Sequence, residues 1–151
     1  MIALCVIVAR ASAAGVWTDS TYRRILTLLV DADNAVVLAK TTTDNQLSWV
    51  YEANTIVEQE VSTAMGGSVA WFSAGITWSK AAEAVVYYLN GASVGTPDAA
   101  LGVWAGVLDL ERTAIGTSRT TGTDLWSGYL GQVAIWASPL TPSEMAFVGA
   151  I

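Results

Sequence analysis

The sequence predicts an all-β chain folded as a two-sheet antiparallel sandwich. Three observations carry that prediction. Short runs rich in Val, Ile, Thr, Tyr and Trp alternate their side chains with the period of a half-buried strand. Asn, Asp and Gly clusters punctuate these runs at the spacing typical of sandwiches and barrels. Only one segment carries the start signals of a helix.

Residues 3–10 are apolar on both faces up to Arg10, as in a central strand covered on both sides. Residues 15–22 read as a loop. Residues 23–30 form the second strand, with Leu26, Leu28 and Val30 on one face and Ile25, Thr27 and Leu29 on the other. Asp31, Asp33 and Asn34 mark a turn, and residues 35–40 form the return strand. The next strand, 46–52, places Leu47, Trp49 and Tyr51 on one face. Residues 55–62 alternate cleanly, which puts Ile56, Glu58 and Glu60 on the face opposite Val57, Gln59 and Val61. Gly66–Gly67 marks a turn before a long aromatic run, 68–79. The strand at 84–89 ends in Asn90–Gly91, a pair suited to a type I′ hairpin turn, and a return strand begins at Ala92. Residues 96–106, with Pro97 and glycines, read as an excursion around short strands. Residues 107–115 read as strand, 116–123 as loop and 129–137 as the last strand. Thr141, Pro142 and Glu144 stand where a helix N-cap, first turn and capping box require them.

Composition narrows the function classes. The chain has 151 residues, the size of one domain, and 53% of them are apolar, enough for a core without crosslinks. The net charge is −6, and the seven cations are scattered except for Arg23–Arg24, which argues against nucleic-acid binding. Cys5 is the only cysteine, so no intrachain disulfide forms, and its apolar run suggests a buried, inert thiol. Such a chain suits synthesis in a reducing cytoplasm. The apolar start of the chain, before Ala11–Ser12–Ala13–Ala14, lacks a positive leader region and is too short to span a bilayer, so it reads as a core strand and not as a membrane insertion. Histidine is absent, which excludes a Ser-His-Asp or Cys-His centre and a His-ligated zinc.

The second half carries an ordered set of motifs. Trp71 and Trp78 flank one strand; Tyr88, Asn90 and Gly91 close the next hairpin; Ile115 and Gly116 follow. Then come Trp126 and Gly128, the strand through Val133 and Trp136, and Leu140, Thr141 and Glu144 before a short helix. This order resembles the concanavalin A-like lectin and glucanase superfamily, in particular its laminin-G-like and pentraxin-like domains. The motifs cover about half of the chain and are specific for the fold rather than for a ligand. The resemblance implies a jelly-roll sandwich over residues 1–151. It also implies a further strand ahead of the one at 3–10, for which this chain has no room. The sheet is therefore expected to be one strand short at an edge, or to have that edge filled by a neighbouring chain.

Candidate chemistry is sparse. Glu58 and Glu60, and Asp109 and Glu111, are carboxylate pairs two residues apart, but they do not reproduce the acidic strand of the glucanase branch, so solvent-facing roles are expected. The resemblance implies calcium as the one metal to consider, with Asp31 and Asp33 as candidate ligands; the same pair also reads as ordinary turn formers. No other cofactor is expected. Of seven tryptophans, Trp17, Trp104 and Trp126 lie nearest to loops and are the candidates for ligand or partner contact, whereas Trp49, Trp71 and Trp136 read as core.

A non-enzymatic role follows. The leading expectation is a structural or surface-display module of a larger assembly, since the arrangement resembles lectin-like domains displayed on tailed bacteriophage particles. A capsid-decoration protein of a virion, made in the cytoplasm and released by lysis, needs neither leader nor disulfide. Its partners would be other virion proteins or further copies of itself as a homo-oligomer. The alternative is a glycan-binding, lectin-like module, which predicts surface glycans as partners. A glycoside hydrolase ranks last.

Overall fold

In a computed structural model the described residues are 5–12, 16–43, 45–62, 65, 70–109, 111–118 and 122–150, with the backbone course alone at 5–12, 16, 61 and 62. The Cys5 side chain, the start of the strand read at 3–10 and the Gly66–Gly67 turn lie outside them.

Among the described residues ten strands form two antiparallel five-stranded sheets. The first sheet runs in the order β10 (Tyr129–Trp136), β1 (Cys5–Ser12), β6 (Phe72–Ser79), β7 (Ala84–Leu89) and β8 (Ala92–Ala99). The second runs β5 (Ile56–Ser62), β4 (Leu47–Ala53), β3 (Asn34–Lys40), β2 (Arg23–Leu29) and β9 (Ala114–Ile115). The two-sheet sandwich matches the sequence prediction. β1 is central, as its apolar faces require, with β10 and β6 paired on either side.

Alternation sets which side chains meet between the sheets. Val36, Leu38 and Lys40 of β3 share the inner face with Leu47, Trp49 and Tyr51 of β4. From the first sheet Ile76, Trp78, Val85 and Tyr87 meet them. Aromatic rings pack in tilted pairs, Tyr51 with Trp78 at 5.6 Å and Trp49 with Tyr87 at 6.4 Å. The strict alternation read for β2 fails at one point. A register shift between Arg24 and Leu26 turns both Ile25 and Leu26 inward, and both are buried.

Two further differences have local causes. Residues 107–109 and 111–113 are not strand. The Asp109 carboxylate accepts the Glu111 amide at 2.8 Å, and its carbonyl accepts the amides of Arg112 and Thr113, so the chain turns there. β8 continues through Pro97 to Ala99, which the sheet allows because β8 is an edge strand.

Helix α1 (Pro142–Gly149) follows β10 and lies on the outer face of the first sheet, where Met145 packs with Tyr88 and Trp136. The capping box predicted from Thr141 and Glu144 is present. The Thr141 hydroxyl accepts the Glu144 amide at 3.3 Å, and the Glu144 carboxylate accepts the Thr141 amide at 2.7 Å. Those bonds hold the Glu144 carboxyl below its ordinary pKa. Thr141→Ala is expected to cost about 1 kcal/mol of stability, read by urea unfolding. An unchanged midpoint would show that the cap adds nothing.

Candidate functional site

A cavity of about 480 Å³ opens on the outer face of the second sheet. Arg24 and Leu29 of β2 form its floor, the β2–β3 turn supplies Asp31 and Ala32, and the segment between β8 and β10 supplies Arg112, Ser118, Thr123 and Asp124. This segment is held over the sheet by backbone bonds from Arg24 to Asp124, from Asp109 to Leu29 and from Gly116 to Ile25.

Each polar group is already oriented. Asp31 Oδ1 accepts the Asp33 amide at 2.9 Å and Asn34 Nδ2 at 3.0 Å, an Asx turn that aims the carboxylate at the cavity mouth. The Asn34 side chain, the Asp33 amide and the Arg112 charge hold its pKa below the usual carboxylate value. The Arg24 Nε lies 3.3 Å from Asp124 Oδ2, Nη1 reaches the Thr27 hydroxyl at 3.4 Å, and the guanidinium sits 5.5 Å over the Tyr22 ring. The Nε–H is buried, and the Asp124 contact is not aligned as a hydrogen bond. Arg112 pairs with Asp109 at 3.2 Å. Ser118 and Thr123 bond to one another.

Two guanidiniums, two lining carboxylates and two hydroxyls around an apolar patch make neighbouring donors and acceptors. That arrangement can grip vicinal hydroxyls and a carboxylate of a sugar, because Arg presents a planar fork of N–H donors. The lowered pKa of Asp31 keeps that carboxylate charged, as an acceptor rather than an acid poised near neutrality.

The structure places the predicted residues differently. Trp17 is 1% exposed, and its ring packs against Phe72 at 5.6 Å and Trp126 at 6.0 Å. Trp126 is 9% exposed, so both fill the end of the sandwich rather than its surface. Loop position in the sequence did not reveal this, because the loops fold inward under the sheets. Trp104 is half-buried against Tyr51 at 6.2 Å. Trp49 is core as read, Trp136 is half-buried beneath α1, and Trp71 is 47% exposed beside Tyr129, against its core reading. Asp31 lines the cavity and Asp33 is its turn partner. Among the described residues no group of three or more His, Cys, Asp or Glu is arranged to hold a metal ion.

Glu58 and Glu60 are not simply solvent-facing. Their register opposite Tyr51 and Trp49 turns them toward the gap between the sheets at the β5 edge. Burial and the nearby Asp98 carboxylate raise the pKa of Glu58. Burial and Asp98, which accepts the Tyr87 hydroxyl at 2.8 Å, raise that of Tyr87.

Sequence reasoning missed Arg24 and Arg112. The adjacent Arg23–Arg24 pair was visible, but not that Arg112, Ser118, Thr123 and Asp124 come to lie beside Arg24 and Leu29 of β2.

The class that the fold defines is the concanavalin A-like jelly-roll sandwich. No family model and no curated protein matches the chain. Solved structures share the fold at low identity. The Ruminococcus gnavus IT-sialidase CBM40 bound to alpha2,3 sialyllactose superposes with a TM-score of 0.77 at 13% identity, over 99% of this chain and 84% of that one. A native heptameric SAP-like pentraxin from Limulus polyphemus gives 0.70 at 16% identity, over 98% of this chain and 70% of that one. Domains LG4-5 of the mouse laminin alpha1 chain give 0.65 at 11% identity, over 95% of this chain and 38% of that one. Among the described residues no helix is long and apolar enough to cross a membrane.

Proposed function

We propose that the chain is a non-catalytic glycan-binding module whose site is the Arg24–Arg112 cavity. The observation that carries this reading is the set of pre-oriented guanidinium, carboxylate and hydroxyl groups around Leu29. A module of the same fold that holds a sialylated sugar supports it. The two guanidiniums favour a glycan with an acidic residue.

The test is calorimetric titration of the full chain with sialyllactose and with lactose. Binding of the acidic sugar in the micromolar to millimolar range is expected, and Arg112→Ala should weaken it at least tenfold with little change in thermal stability. Recovery of both sugars uncleaved after long incubation is also expected. Absence of any binding at millimolar sugar, or binding indifferent to Arg112→Ala, would sink the proposal.

Display on a virion is compatible with glycan binding and would place the module outside a cell after release. That finer reading rests on the sequence arguments alone, since none of the three similar structures named above is a virion protein.

A further inference from the structure

The four sheet edges of the sandwich are not defended alike. β5 carries Glu58 and Glu60, turned toward the gap between the sheets. β8 carries Pro97 and Asp98. β9 is two residues long. Inward charges, proline and shortness are the devices that stop edge strands from pairing with other chains. β10 has none of them. It is eight residues long, reads Tyr-Leu-Gly-Gln-Val-Ala-Ile-Trp, and pairs only with β1 among the described residues.

Two large apolar side chains along this edge are also uncovered. Tyr129 is 74% exposed and Ile135 is 47% exposed. Ile115 and Leu125 of the neighbouring segments are exposed too, and Ile115 shares a shallow cleft with Leu130 and Val133. Above the sheet, Phe147 of α1 is 79% exposed and lines a groove with Trp136.

We propose that β10 pairs antiparallel with β10 of a second copy, joining the two first sheets into one continuous ten-stranded sheet. Two arguments select a second copy as the occupant. The first is self-complementarity. A two-fold axis normal to a sheet must pass through a residue position, because opposed residues have to point to the same face. An axis at Val133 sets Gly131 opposite Ile135 and Gln132 opposite Ala134. Large side chains then face small ones, and no charge meets a like charge although each copy carries −6. The second argument is area. Eight residues extend about 27 Å, and two sheets about 10 Å apart with their outer side chains give an edge roughly 20 Å deep. Two such strips bury on the order of 1,000 Å², the size at which a specific interface begins.

The test is sedimentation velocity of the full chain over a concentration series, with thermal melts of every variant to confirm folding. The wild-type chain is expected to dimerise with a micromolar dissociation constant. Gln132→Lys with Ala134→Lys sets like charges opposite each other twice and should raise that constant at least tenfold. Gln132→Lys with Ala134→Glu sets opposite charges in the same places and should return it to within about threefold of wild type. A wild-type chain that stays monomeric at high concentration overturns the proposal. So does a dimer whose affinity ignores the double-lysine variant, and so does failure of the lysine–glutamate variant to recover while both variants melt like wild type.

Discussion

Asp19→Ala is expected to lower the unfolding free energy by about 3 kcal/mol and the melting temperature by roughly 10 °C, read by calorimetry. The reason is Lys40. Its side chain is fully buried on the inner face of β3, and its ammonium has Asp19 Oδ1 at 2.8 Å and the Thr21 carbonyl at 3.1 Å. Asp19 also accepts Arg23 Nε at 2.6 Å and the Thr21 amide at 3.0 Å. Removing the carboxylate leaves a buried cation without its counter-charge, which typically costs about 3–5 kcal/mol. The lower end applies because the Asp19 side chain keeps 23% of its exposure. Lys40→Met should be close to neutral, since it removes the charge together with the need to pair it. The same pairing has a signature in acid. Burial alone would raise the Asp19 pKa, but bonds from Lys40, Thr21 and Arg23 outweigh it and hold the group at about 2, below its ordinary value of 3.8. A depressed folded-state pKa stabilises the fold above the unfolded value and ceases to do so as pH falls through the folded one. Stability of about 1–2 kcal/mol, discounted for solvent screening, is therefore expected to disappear between roughly pH 4 and pH 2, and Asp19→Asn should flatten that part of the profile. An Asp19→Ala chain that melts with the wild type would show that Lys40 is not held in this way.

Trp17→Ala is expected to cost about 3–5 kcal/mol, measured by denaturant unfolding. Trp17 meets Phe72 and Trp126 edge-on or tilted at the end of the sandwich, so truncation opens a cavity that three rings now fill. Trp17→Phe should recover more than half of the loss. Trp71→Ala, by contrast, removes a half-exposed ring beside Tyr129 and should change stability by less than about 1 kcal/mol. Near-equal losses for Trp17→Ala and Trp71→Ala would contradict this placement.

The tryptophans also show where sequence reading stops. Alternation along one strand is a local property, so the shared face of Leu47, Trp49 and Tyr51 on β4, the Asn90–Gly91 hairpin and the Thr141 cap were legible. Burial of a loop residue is a property of the closed fold. Trp17 and Trp126 are more than a hundred residues apart and become neighbours only when the ends of the sandwich close. The cavity is hidden for the same reason. Arg112 reaches the face of Arg24 from a segment that the local pattern read as strand, because nothing local announces that Asp109 will turn the chain. Glu58 and Glu60 alternated as expected, but alternation gives two faces without saying which one looks inward.

The position of β1 has a consequence for how the molecule comes into being. The second sheet is dominated by neighbours in sequence, with β2 to β5 following one another as a meander, so its contacts close short loops. The first strand of the chain instead lies between partners that begin at residues 72 and 129. On a ribosome, β1 emerges ahead of both partners, and its second neighbour follows more than a hundred residues later. Such long-range closure is slow. Until it occurs, an apolar strand has both of its hydrogen-bonding edges open, which makes the nascent chain a natural client for a chaperone.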